Sequence, residues 1–138
     1  MVRPKAKQLT ERELEIMHIL WRQADSRSKR RETVELTAIE VRELLAAEGR
    51  VLAYTTVATL LRILVEKDFI RLTNEQRPFT YQAVRTFQEV SGRLVSDLVE
   101  RVFSGSREAL LLQLVESKKL TKKERRILEQ ILSENQQQ

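Results

Sequence analysis

Residues 54–83 read YTTVATLLRILVEKDFIRLTNEQRPFTYQA, and a change of period inside this stretch decides the fold. Val57, Leu60, Leu61 and Leu64 fall at i, i+3, i+4 and i+7. That is the spacing of one core-facing helix stripe, so a helix is predicted from about Tyr54 to Lys67. Past Lys67 the period drops to two. Phe69 to Thr73 and Phe79 to Ala83 alternate apolar and polar residues on either side of the turn Asn74-Glu75-Gln76-Arg77-Pro78. Two such runs around a turn make a β-hairpin. A lone hairpin is marginal in water, so its apolar face must pack on helices.

Upstream, two more helices are expected. Thr10 followed by Glu13 is a capping box, with Leu9 and Leu14 at the two staple positions. Leu14, Met17, Leu20 and Trp21 continue as an apolar stripe, widened by Ile16 and Ile19, and the helix is placed to end near Arg22. A second capping box, Thr37 with Glu40, starts a helix carrying Ile39, Val41, Leu44 and Leu45, and Gly49 suits its stop. Between these helices lies a polar stretch, residues 23–36. It holds the cations Arg27, Lys29, Arg30 and Arg31 and reads as a basic loop, either simply solvated or in contact with phosphate.

Downstream, helices resume at about Phe87. Phe87, Val90, Leu94, Leu98 and Val102 mark one stripe, and Ser104-Gly105-Ser106 breaks it. Residues 109–115 form a short helix that is apolar nearly all round. A third capping box, Thr121 with Glu124, introduces Ile127, Leu128, Ile131 and Leu132. Residues 86–138 have too little interior to bury so many leucines in one copy. A second copy of the chain is expected to cover Leu94, Leu98, Val102, Leu110, Leu111, Leu114, Ile127, Leu128 and Ile131. Burial against the chain's own N-terminal part is the alternative.

Composition narrows the function classes. The 138 residues carry 25 Lys/Arg against 20 Asp/Glu, a net charge of +5, and of these residues 1–85 hold 16 against 12, a net of +4. A polyanion surface is therefore to be sought in the N-terminal part. There is no Cys and one His, His18, so thiolate and multi-His metal sites are excluded, and neither a metal nor a cofactor is expected. His18 and Trp21 read as helix and core residues. With no Cys, no Gly-rich phosphate loop and no second His, an enzyme is not expected. No apolar run is long enough to span a membrane, and Met1-Val2-Arg3-Pro4-Lys5 lacks an apolar signal core, so a cytoplasmic location is expected.

Three helices followed by a hairpin is the element order of a winged helix-turn-helix. The fold expected is mainly α with a small β-hairpin: a winged-helix DNA-binding domain at 1–85, then a helical dimerisation domain at 86–138. Fourteen residues, 54–67, make a helix of about 21 Å, long enough to lie in a major groove. Off its core stripe it offers Thr55, Thr56, Thr59 and Arg62. Hydroxyls suit phosphate and base edges, threonine methyls suit thymine, and a guanidinium grips phosphate or guanine. The DNA-binding set is Tyr54, Thr55, Thr56, Thr59, Arg62, Lys67 and Arg77, with Arg27, Lys29, Arg30 and Arg31 from the loop. A two-fold dimer would place two such helices about one DNA turn apart. The competing reading is a protein-interaction module on the same scaffold, without specific DNA readout.

The segment from Leu9 to Trp21 (Leu9-Thr10-Glu11-Arg12-Glu13 … Met17 … Leu20-Trp21) resembles the "L-T-x-x-E-x-x-V-M-x-x-L-W" opening of the penicillinase-repressor family of bacterial regulators. Thr37 to Leu45 is similar to that family's second helix. Tyr54 to Ile70 resembles its recognition segment, "y-t-T-V-x-T-L-L-x-R-L-x-x-K-G-h-h", and Pro78-Phe79-Thr80-Tyr81 its second wing strand. Phe103 to Ser106 and Leu120 to Glu124 resemble its dimerisation region. The resemblance implies a winged-helix homodimer that represses transcription at inverted repeats with TACA/TGTA-like half-sites. It implies that Thr56, Thr59 and Arg62 lie on or near DNA, with Tyr54 and Thr55 at the helix entrance.

The chain departs from the pattern at four places. Ala53 stands for a Ser N-cap, Ile63 for a frequent Arg (Arg62 comes one position earlier), Asp68 for the Gly before the wing, and the basic loop is longer. Members inactivated by cleavage are cut at an Asn-Phe bond, where this chain has Gln113-Leu114. Copper-responsive members carry a cysteine pair, which this chain lacks. Neither trigger is therefore implied here.

Overall fold

Thr10, Thr37 and Thr121 each accept a backbone N–H three residues on, and each of the three partnered glutamates bonds back, so all three capping boxes form in the computed structural model, which describes residues 8–26 and 34–135. They open three of the six helices among the described residues. The element order is α1 (Glu11–Ser26), β1 (Leu36–Thr37), α2 (Ala38–Ala47), α3 (Tyr54–Glu66), β2 (Ile70–Leu72), β3 (Thr80–Ala83), α4 (Phe87–Val102), α5 (Arg107–Ser117) and α6 (Lys122–Asn135). The fold is a winged helix followed by helices, as expected.

Two details differ from the sequence expectation. Helix α1 runs one turn past Arg22, because Gln23 and Ala24 are tolerable helix residues and Ala24 packs against the core. The hairpin gains a third strand: Leu36 and Thr37 pair antiparallel with Tyr81 and Thr80, giving the sheet order β1-β3-β2. A two-residue strand is too short to show a period. Arg27, Lys29, Arg30 and Arg31 lie outside the described residues.

The chain divides into two compact units between Val90 and Ser91, within α4. In the first unit, Ile16, Met17 and Leu20 of α1, Val41 of α2, Val57, Leu61 and Leu64 of α3 and Ile70 of β2 are at most 2% exposed and form one core. Full burial of one such side chain is worth about 1.5–3 kcal/mol, so α3 is firmly anchored by its inner face. Trp21 is buried too. Its indole N–H donates to the Arg85 carbonyl at 2.9 Å, and its ring meets Phe87 edge-on at 5.4 Å. His18 packs edge-on to Trp21 at 5.5 Å. Burial, aided by the Arg22 guanidinium, pushes its imidazole below the ordinary range. His18 is thus a neutral packing residue at pH 7.

The junction from α3 to the wing is a left-handed turn at Asp68, φ 65°. The Phe69 N–H donates to the Leu64 carbonyl at 3.0 Å and the Asp68 N–H to Val65 at 3.1 Å, the paired bonds of a Schellman stop. Aspartate is one of the few non-glycine residues that tolerates this conformation, which lets it stand where the family pattern has Gly.

In the second unit α5 and α6 have no buried residue. Ser106 caps α5 by accepting the Ala109 N–H at 3.0 Å.

Candidate nucleic-acid interface

Helix α3 has two faces fixed by its spacing. Val57, Leu61 and Leu64 are fully buried. Thr55, Thr59 and Arg62, again at i, i+4 and i+7 but about 200° away round the helix, are all exposed. Thr56 is half-buried at the edge of the exposed face, and Tyr54, at the helix entrance, is about half exposed. The helix therefore presents hydroxyl, methyl and guanidinium groups outward while its other face is locked. No side chain caps its N-terminus, since Ala53 has no oxygen to offer. Its first-turn N–H groups near Tyr54 and Thr55 stay available to an anion.

The wing is organised by Asn74, which the sequence pattern marks only as a turn residue. Its amide nitrogen donates to the carbonyls of Gln76 (3.0 Å) and Pro78 (2.8 Å), and its oxygen accepts the Thr80 N–H at 2.8 Å. This clamps the turn that carries Arg77. The Arg77 guanidinium lies over the Phe79 ring, 5.6 Å from its centre. At the base of the wing the buried Gln82 accepts from Arg71 at 2.8 Å. Pairs such as these are legible from sequence only as a polar residue recurring at a turn.

Lys67 is placed differently from the other sequence-predicted cations. It is the C-cap of α3, and its ammonium donates to both oxygens of Glu13 (2.6 and 2.9 Å) and to the Gln8 carbonyl (2.9 Å). All three of its protons are spoken for. Its side chain is only 15% exposed, and that of Glu13 2%. Burial alone would raise the Glu13 pKa, but the bonds from Lys67 and Thr10 together outweigh it and hold the carboxyl below the ordinary carboxylate range. Lys67 thus ties the end of α3 to the start of α1 and presents no free charge outward. The link spans 54 residues of chain, which is why no local pattern announces it.

The residues expected to meet a second copy are uncovered in the single chain. Leu94, Leu98, Val102, Leu111, Leu114, Ile127, Leu128 and Ile131 are 38–65% exposed, and Leu110 is half-buried. Exposed apolar area of this extent marks surfaces that bind something. Among the described residues no helix is long and apolar enough to cross a membrane, and no cluster of three potential metal-binding side chains occurs.

A model of the penicillinase repressor family matches residues 9–134. The chain belongs to that family. Membership makes it a transcriptional regulator and not an enzyme. Two curated relatives, each named transcriptional regulator BlaI, come from the CDC 1551 and H37Rv strains of Mycobacterium tuberculosis. Each is 34% identical over 113 residues, covering 81% of this chain and 75% of the relative. The ferric uptake regulator from Francisella tularensis with iron aligns at a TM-score of 0.46 and 15% identity, over 72% of this chain and 83% of that one.

Proposed function

We propose that this penicillinase-repressor family member is a cytoplasmic homodimer that represses transcription by occupying inverted-repeat operators, with α3 of each subunit in a major groove. The reading is carried by one observation: the exposed stripe Thr55–Thr59–Arg62 on a helix whose opposite face is fully buried. A helix of 13 residues is about 20 Å long and fits a groove end to end. Thr56 and Tyr54 would flank the contact. Arg77 on the clamped wing, and Arg27, Lys29, Arg30 and Arg31 of the basic stretch, would bind phosphate. Lys67 is assigned a positioning role, setting the tilt of α3 through Glu13.

The dimer is supported by the uncovered leucines of the second unit. A two-fold dimer of this kind reads half-sites about 34–36 Å apart. The half-sites themselves, TACA/TGTA-like, rest on the family resemblance. Repression would be steric, by excluding polymerase from the promoter.

Thr59→Ala provides the test of readout. By fluorescence anisotropy, the variant is expected to lose about 1–3 kcal/mol of discrimination between operator and singly mismatched duplexes while keeping its affinity for unrelated DNA. Neutralising Arg27, Lys29, Arg30 and Arg31 should weaken all duplexes alike. An equal loss on all sequences from Thr59→Ala would argue that the α3 stripe reads no bases.

A further inference from the structure

Between the outer side of α3, the first turn of α2 and the wing lies a cavity of about 640 Å³. That is within the range of small-molecule sites, about 300–1,000 Å³. Its walls are mostly apolar, with Ala58 and Val65 from α3, Leu72 from β2 and Phe79 from the loop just before β3. Two guanidinium groups, Arg62 and Arg77, also line it, and no Asp or Glu does. Among the described residues neither arginine has a carboxylate partner. Phosphate contacts would use its two arginines and leave its apolar walls unmatched. Apolar walls beside two cations without carboxylate partners match a ligand with a flat apolar body and one negative end.

We infer that this cavity binds an amphipathic organic anion of the aromatic carboxylate class. Its ring lies against Ala58, Val65, Leu72 and Phe79, and its carboxylate is held by Arg62 and Arg77. Because both arginines also belong to the proposed DNA surface, an occupied cavity withdraws them from phosphate, and ligand and DNA compete. This second half rests on the DNA reading above. It would give the chain a ligand-driven release.

The experiment titrates 2-naphthoate into the full-length protein without DNA and follows amide and methyl NMR shifts, with neutral 2-naphthamide as the charge control. Saturable shifts clustered at Ala58, Val65, Leu72 and Phe79 are expected, with the amide at least about tenfold weaker. Arg62→Ala combined with Arg77→Ala should weaken naphthoate by about ten- to a hundredfold, since charged hydrogen bonds carry the difference. Ala58→Leu, which fills the hollow, should abolish binding. The surface arginine variant keeps the test valid if Ala58→Leu fails to fold. No saturable shift, shifts confined to the exposed leucines after Ser91, or equal affinity for the amide would overturn the site. In a second arm naphthoate should release a bound operator duplex. A duplex that stays bound to naphthoate-saturated protein overturns the competition and leaves the DNA reading intact. A protein that binds naphthoate as expected but binds no duplex refutes the DNA reading alone.

Discussion

Lys67→Met is expected to lower the free energy of unfolding by about 3–5 kcal/mol, the cost typical of removing one partner from a buried ion pair. The Glu13 carboxylate would keep its burial and its Thr10 bond but lose the ammonium that donates to both its oxygens. The double variant with Glu13→Gln should recover much of the loss, because no uncompensated charge is then left inside. Urea denaturation at fixed protein concentration measures both. The pH dependence has a definite sign. The Glu13 pKa is lowered in the folded state, so its contribution is present above the unfolded value of 4.5 and is lost as pH falls through the lower folded value. Glu13→Gln should therefore flatten the acid limb of the stability curve. An acid limb unchanged in that variant would show that the pair does not hold α1 to α3.

Raising salt from 50 to 200 mM is expected to weaken operator binding by about 10³–10⁵, the loss for six to ten phosphate contacts. The contacts assigned here are Arg62, Arg77, Arg27, Lys29, Arg30 and Arg31 in each of two subunits, so even half of them engaged at once reaches that range. Lys67 is not among them, because Glu13 and Gln8 occupy its protons. Lys67→Met should accordingly leave the slope of log affinity against log salt unchanged, whereas Arg77→Ala should reduce it by about one. Anisotropy titrations across salt concentrations give the slope. A slope near zero would mean that the cations of this face do not meet phosphate.

What could be read from sequence was what is encoded locally. The capping boxes at Thr10, Thr37 and Thr121 join residues three apart, and each forms. The stripe Val57–Leu61–Leu64 needs only the helical period, and it is fully buried. The features missed depend on distant partners or on elements too short for a period. Lys67 looked like another surface cation because Glu13 is 54 residues away. Strand β1 has two residues and exists only because Tyr81 and Thr80 accept it as a neighbour. The cavity beside α3 arises where α2, α3 and the wing meet, so no contiguous stretch carries its signature.

Selection of bound sequences from a pool of random duplexes shows whether two α3 helices read a two-fold DNA site. Enrichment of an inverted repeat whose half-sites are centred about one helical turn apart is expected. Recovery of unselected sequences bound uniformly and weakly, or of a single half-site with no two-fold partner, would contradict it.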